Sequence, residues 1–359
     1  MAKLVLLDTH RTGKQAQELE GALRSLVVGQ DEAILEVVRA YQSHVTGLSP
    51  NGRPIGNFLF LGPTGSGKTR IVEALAQSLL NDRGAVVKID CAEYQHSHEV
   101  AKLLGSPPGY LGHRETHPLL SQEALNRHHT DKVKISLVLF DEIEKASDAL
   151  WNLLLGILDK GILTLGDNRK VDFSAAMIFL TSNLGATEMC SVTSPRVGFH
   201  SPNLDDANSQ DENEARMSRI GAAAARRKFT PEFINRLDKI VVFKLLGEEE
   251  LRKILDIEIE TVQQRLQTAA AGTPFQVRLE ESARELLLRE GTDSRYGARH
   301  LKRAIERLLV QPLANLMSSS QIRRGDHILV SHGAGSNSLE FSREAAVRDG
   351  WRVAGSMAA

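Results

Sequence analysis

Cysteine is nearly absent. The 359 residues contain two, Cys91 and Cys190. Two distant thiols build neither a disulfide framework nor a cysteine-based zinc site, and they fit a reducing compartment. Net charge is missing as well: 44 Lys and Arg face 45 Asp and Glu, a formal charge of −1. The chain therefore has no global electrostatic footprint for nucleic acid. No apolar run approaches the ~20 residues of a bilayer-spanning helix. The opening Met1-Ala2-Lys3-Leu4-Val5-Leu6-Leu7-Asp8 is too short a hydrophobic stretch for a secretion signal. These absences predict a cytoplasmic protein with neither membrane nor nucleic acid among its partners. Met1 and the lead-in that follows favour a natural full chain over a cut fragment. What is present, 42% hydrophobic and 25% charged residues, is ordinary for a soluble protein long enough for two domains.

One octapeptide stands out: Gly62-Pro63-Thr64-Gly65-Ser66-Gly67-Lys68-Thr69. It fits G-x-x-x-x-G-K-[ST]. An apolar run, Phe58-Leu59-Phe60-Leu61, precedes it as a buried strand, and Arg70 to Ala76 follows as the first turns of a helix. Glycines let backbone N–H groups close around a polyphosphate, and the helix N-terminus adds its positive end. Lys68 then reaches the β- and γ-phosphates, and Thr69 supplies a hydroxyl to Mg²⁺. The pattern predicts nucleoside triphosphate binding.

Further strands are expected at Ala85–Asp90, Leu137–Phe140 and Ala176–Leu180, alternating with helices. That alternation predicts an α/β fold, a parallel sheet with helices on both faces, and polar residues at the strand C-termini lining the ligand crevice. Helices are expected from Gln15 to Leu26 and from Asp31 to Val45, and Ser201–Glu214 reads as a mobile acidic loop. The character changes after Gly247. Helices over Glu248–Gln267, Glu280–Glu290 and Arg299–Met317 and a short strand His327–Val330 predict a smaller, mostly helical domain. The expected domains are 1–246 (nucleotide-binding, with the lead-in helix), 247–340 (small domain) and 341–359 (tail).

Leu137–Phe140 ends in Asp141-Glu142, which places one carboxylate to hold Mg²⁺ and a second to polarise an attacking water. Asn183 ends the neighbouring strand, in reach of that water or the γ-phosphate; an ordinary turn asparagine is the plainer reading. Arg236, in a polar junction beside apolar anchors, suits the stabilisation of transition-state charge, with a surface ion pair as its alternative. Arg299 lies near a helix N-terminus, an odd place for a cation unless it faces an anion. Gly105-Ser106-Pro107-Pro108-Gly109-Tyr110-Leu111-Gly112-His113 prohibits a regular element and puts Tyr110 on a loop tip. Six of the twelve histidines fall between 96 and 129 without ligand spacing, so no metal site is expected there.

Together these motifs, in this order, resemble an AAA+ ATPase of the Clp family, specifically the second ATPase domain of ClpB- and ClpC-type unfoldases. The resemblance covers roughly residues 15 to 332. It implies that Val28 and Gly29, in Val28-Gly29-Gln30-Asp31, contact adenine, that Gly62–Thr69 is the Walker A loop and that Leu137–Glu142 is the Walker B strand. Asn183 matches sensor 1, Arg299 sensor 2 and Arg236 the arginine finger offered to a neighbouring subunit. Gly109-Tyr110-Leu111-Gly112 matches the pore loop that drags polypeptide. The implied cofactors are ATP and Mg²⁺; the implied partners are further copies in a ring, usually of six, and unfolded or tagged proteins. Val197-Gly198-Phe199 is similar to the loop that ClpC-type unfoldases insert into the ClpP peptidase, although a solvated loop with a packed Phe199 reads equally well. Thr164–Arg169 lacks the family's usual second-pore-loop spacing. The matching stretch has no counterpart of the amino-terminal recognition domain, the first ATPase domain or the coiled-coil middle domain. A nucleic-acid remodeller, and an interaction protein that uses ATP only to switch assembly, are the competing readings. Near-neutral charge disfavours the former and the full set of catalytic positions the latter.

Overall fold

The computed structural model describes residues 8, 12–105, 118–193, 206–269, 275–292, 297–323, 325–333 and 338–343. Among the described residues, seven strands belong to the first part: β1 (Gly56–Leu61), β2 (Val87–Asp90), β3 (Ser136–Asp141), β4 (Ile162–Thr164), β5 (Lys170–Asp172), β6 (Ala176–Ser182) and β7 (Lys239–Val242). Five of them form one sheet in the order β2-β3-β6-β1-β7, and every neighbouring pair is parallel.

Both faces of this sheet are covered, which explains strands that read as continuous apolar runs. Successive side chains point to opposite faces. Leu59, Leu61, Val138, Phe140, Ile178 and Leu180 join one core with Leu150, Leu154 and Ile157 of the helix Asp148–Lys160. Phe58, Phe60, Leu137, Leu139, Met177 and Phe179 join the other, with Ile71 and Leu75 of the helix Lys68–Leu80 and with the lead-in helices Lys14–Leu26 and Asp31–Val45. The second core is knit by rings: Phe58 stacks on Phe179 at 5.4 Å, and Phe60 meets Phe243 at 5.0 Å.

The strands expected at 58–61, 85–90, 137–140 and 176–180 are β1, β2, β3 and β6, with β2 starting later because Ala85 and Val86 close a turn on Asp82 and Gly84. The structure corrects or adds to the expectations in three places here. The acidic stretch read as a loop up to Glu214 is helical from Asp206 onward, within a helix running to Lys228. Its second half anchors it through buried Met217 and Ala225, and Arg226, Arg227 and Lys228 complement the dipole at its last turn. Strand β7 was not foreseen; Ile240-Val241-Val242 is too short a run to declare itself. Thr164–Arg169, for which no structure was expected, comprises the last residue of β4 and the turn of an antiparallel hairpin to β5.

The chain divides into two compact units: one runs through Glu250 and takes back Gly297 and Ala298, and the other holds 251–292 and the residues from Arg299 on. In the second unit β8 (Gln276–Leu279) pairs parallel with β9 (His327–His332), which pairs antiparallel with β10 (Leu339–Arg343). Leu286, Leu287, Leu301, Leu309, Leu313 and Val330 are buried. The helix expected from Arg299 to Met317 runs from Ala298 to Ser318 but widens into a π segment over Glu306–Val310. Pro312 follows at once; it brings no N–H and crowds the preceding turn, which a wider turn relieves.

Phe179 is fully buried in the aromatic cluster. Phe179→Ala is expected to cost the first unit about 3–5 kcal/mol, read as a lower urea midpoint by circular dichroism; a loss under about 1 kcal/mol contradicts the packing described.

Candidate functional site

The phosphate loop connects the end of β1 to the helix Lys68–Leu80. Gly62, Gly65 and Gly67 have φ of 145, 81 and 102°, values that side chains other than glycine's strain to adopt. A Cβ on Gly62 would also lie 2.9 Å from the Phe243 carbonyl oxygen. The helix begins behind Gly67 with no side-chain cap. Its first-turn N–H groups therefore point at the loop without an intrahelical acceptor, the usual arrangement for an anion site.

Lys68 is only 8% exposed. Its ammonium donates to Gly62 O at 2.6 Å, Pro63 O at 2.8 Å and Asn183 Oδ1 at 2.9 Å. Asn183 follows β6, which lies between β1 and β3, so parallel pairing sets the phosphate loop, Asn183 and the acidic pair side by side. Its Nδ2 donates to Glu142 Oε1 at 3.3 Å. One amide thus links the phosphate-loop lysine to the glutamate, and the two bonds fix which end is oxygen and which is nitrogen.

Glu142 sits in the left-handed region at φ 57°, which costs a residue with a side chain on the order of 1–2 kcal/mol. Thr181 holds it there. The Thr181 hydroxyl donates to Asp141 Oδ1 and accepts the Glu142 N–H at 3.1 Å. Lys145 forms an ion pair with Glu142 Oε2, and this contact raises the lysine's pKa. Asp141 Oδ2 faces the Lys88 ammonium at 3.2 Å. Beside them Cys91 is fully buried; desolvation, with Asp141 and Asp90 nearby, pushes its thiol far above the ordinary range, so it stays neutral.

Asp141 and Thr69 present hard oxygens, the donor type that Mg²⁺ takes. A cation already rests against the Asp141 carboxylate in the form of Lys88, so the residues present fit a divalent metal.

Besides Thr181, four positions here escaped sequence reasoning as site residues. Gln30, 3% exposed, donates through Nε2 to Ser66 O at 3.0 Å and Lys244 O at 3.1 Å, and accepts the Lys244 N–H at 3.1 Å. It straps the Val28-Gly29 segment to the phosphate loop and to the chain after β7. Its signal was a polar residue between two amphipathic helices. Gly29 has φ 75°, and a Cβ there would lie 3.1 Å from Glu250 Cγ. Lys88, Glu144 and Lys145 carry no motif and emerge only from pairing.

Arg236 lies elsewhere. Its carbonyl accepts from Asn57 Nδ2 at 3.2 Å, at the start of β1, and its guanidinium pairs with Glu232 at 3.3 Å and Asp159 at 3.4 Å. Five residue steps of extended chain lead from Asn57 to Gly62, roughly 16 Å along the strand. In the first unit, Ala298 N–H donates to Gly65 O at 3.2 Å; Arg299, the next residue, is exposed and opens the second unit. Gly109, Tyr110, Leu111 and Gly112, and likewise Val197, Gly198 and Phe199, lie outside the described residues. Among the described residues no group of His, Cys, Asp or Glu is placed to hold a metal by itself, and no helix is long and apolar enough to cross a membrane.

Residues 53–240 match the AAA domain (Cdc48 subfamily), and residues 246–330 match the C-terminal, D2-small domain of ClpB protein. The chain belongs to the Clp-type AAA+ family. It is 39% identical over 323 residues to the chaperone protein ClpB of Bdellovibrio bacteriovorus, covering 90% of this chain and 34% of that one. Against ClpB of Meiothermus ruber it is 41% identical over 315 residues, with 88% and 34% covered. The chain therefore spans about a third of the length of these curated relatives. Among solved structures it resembles Hsp104 of S. cerevisiae in complex with casein, in the extended conformation. That likeness has a TM-score of 0.74 and 29% identity, over 92% of this chain and 53% of that one. Membership of this family implies nucleotide binding.

Gln30→Ala removes three hydrogen bonds, one to the phosphate loop at Ser66 O and two to Lys244 after β7. Affinity for a fluorescent ATP analogue is expected to fall about tenfold, measured by equilibrium titration; unchanged affinity refutes the strapping role.

Proposed function

We propose that the protein hydrolyses ATP and uses the reaction to thread polypeptide through a ring of its own copies, as an unfoldase. The link Lys68–Asn183–Glu142 carries this reading, because it joins the groups for binding, sensing and attack through a single side chain. In the proposed reaction Lys68 and the loop N–H groups hold the β- and γ-phosphates, and Val28 and Gly29 border the base. Glu142 orients the attacking water and takes up its proton, while Asn183 aligns that water with the γ-phosphate. Thr69 and Asp141 would hold Mg²⁺, whose charge screens the phosphates. Arg299 senses the γ-phosphate.

The position of Arg236 supports a ring. Anchored at the opposite end of β1 from its own phosphate loop, it serves the site of a neighbour, which makes turnover depend on assembly. Such arginines are worth about 10³–10⁵ in rate. Six copies are the size expected from the sequence resemblance, and a cytoplasmic location goes with the reading. The solved Hsp104 relative was captured with casein, which favours a protein substrate over nucleic acid, as does the formal charge of −1. Tyr110, between Gly109 and Gly112, is the residue assigned to grip the substrate, from sequence alone. Docking of a ClpP-type peptidase through Val197-Gly198-Phe199 rests on those three residues.

Glu142→Gln is expected to bind ATP and assemble while turnover drops at least 10²-fold, followed by phosphate release and by size-exclusion chromatography with nucleotide. Near-normal turnover removes Glu142 from the mechanism. Tyr110→Ala is expected to lose unfolding of a tagged fluorescent substrate far out of proportion to its ATPase rate; intact unfolding contradicts the grip assignment.

A further inference from the structure

Asn183 is held by more than its amide. It is the first residue beyond β6, so its N–H has run out of ladder, and that N–H donates to Glu144 Oε1 at 3.1 Å. The other oxygen, Oε2, is buried with no hydrogen-bond partner among the described residues. A carboxylate half-removed from water with one oxygen unanswered is destabilising, and a charged residue in that state calls for an explanation.

The explanation lies in how the ends of β3 and β6 are braced. Thr181, on β6, reaches across to the Glu142 N–H and the Asp141 carboxylate. Glu144, beyond β3, reaches back to the Asn183 N–H. The two braces run in opposite directions across one pair of strands. A charge-assisted bond to a backbone N–H is about twice as strong as a neutral one, and this one fixes the peptide that carries the sensing amide. With that peptide fixed, the Asn183 side chain spans from the Lys68 ammonium at 2.9 Å to the Glu142 carboxylate at 3.3 Å. Helix Asp148–Lys160 is tied to the same turn, because Trp151 Nε1 donates to Ile143 O at 3.1 Å.

We infer that Glu144 is a positioning residue for hydrolysis: its carboxylate sets the Asn183 peptide, and through it the amide that joins Lys68 to Glu142. The inference rests on the ATPase reading above. Glu144 touches neither nucleotide nor water in this scheme and acts only through Asn183.

The test is a double-mutant cycle on the full chain, with ATP as substrate. Glu144→Leu is expected to lower kcat about 10–100-fold, with KM and the affinity for a fluorescent ATP analogue within about threefold. Glu144→Gln keeps an acceptor for the Asn183 N–H and is expected to recover most of the lost rate. On an Asn183→Ala background Glu144→Leu is expected to cost no more than about threefold further, since the amide it positions is gone. Should Glu144→Leu fail to fold, Glu144→Asp retains the charge but falls one methylene short, and its kcat loss is expected to match. Full additivity with Asn183→Ala overturns the inference, as does a Glu144 variant whose kcat holds while Asn183→Ala is slow; in both cases the ATPase reading stands. A silent Asn183→Ala in an active enzyme removes Asn183 from the chemistry and the inference with it. A wild-type chain that binds but never hydrolyses ATP, with or without a substrate protein, defeats the ATPase reading first.

Discussion

The site depends on β6 lying between β1 and β3 in parallel register. Gly56 to Leu61 run beside Met177 to Ser182, and Ser136 to Phe140 beside Ala176 to Leu180. Parallel strands deliver their C-terminal ends to one edge, so three chain segments far apart in sequence finish together: Gly62, Asp141 and Asn183. None of the polar contacts at the nucleotide edge would exist with one strand shifted or reversed. The ordering force is apolar. Each central strand is buried on both faces, and the observed register sets Phe58, Phe60 and Phe179 on the same side and in ring contact. A slip of one residue would send those rings to the opposite face. The hydrophobic cores thus fix the polar edge to within a hydrogen bond.

Much of this was legible beforehand for physical reasons. The phosphate loop announces itself because glycine spacing, a lysine and flanking apolar periodicity coincide within one short stretch. Asp141-Glu142 and Asn183 were legible because each ends a continuous apolar run, where a parallel sheet exposes its ligand edge. What escaped is informative in the opposite way. Gln30 acts through backbone carbonyls 36 and 214 residues away, and nothing in its neighbourhood reports such distant partners. Strand β7 is four residues at the sheet edge, stabilised by pairing with β1 rather than by its own pattern. The helix beginning at Asp206 was hidden because its first half has no apolar side chain larger than alanine; burial of Met217 and Ala225 further along carries it. Local composition spoke for loop, and distant packing decided otherwise.

The polar edge also holds an unusual density of charge in a confined space. Lys68, Lys88 and Lys145 interleave with Asp141, Glu142 and Glu144 through Asn183 and Thr181. Such a network is costly when partly satisfied, because a low-dielectric surrounding penalises each missing partner. The positive φ at Glu142 adds backbone strain in the same place. A fold selected for stability alone would replace several of these groups with apolar ones of similar size. Their accumulation at one edge of a well-packed sheet, rather than scattered over the surface, is the pattern expected if that edge serves the proposed chemistry.

Arg236 shows the same logic at the other end of β1. Asn57, fully buried, fixes the Arg236–Asp238 segment: its Nδ2 donates to Leu158 O at 3.0 Å and to Arg236 O, and its backbone N–H donates to Asp238 Oδ2 at 2.8 Å. Asp238 N–H answers to Asn57 O at 2.9 Å. A segment tied this firmly cannot carry its guanidinium along roughly five strand residues to the phosphate loop of the same chain. Yet the arginine is not disposed of as an ordinary surface charge. Its Nε is buried with no partner among the described residues, while Asp159 and Glu232 hold the far end of the fork. Rigid backbone, an under-satisfied guanidinium and an outward carboxylate grip suit a group prepared at one face of the protein for use at another. In the ring proposed above, that face would meet the next copy, and strand length would then make each active site the joint property of two chains.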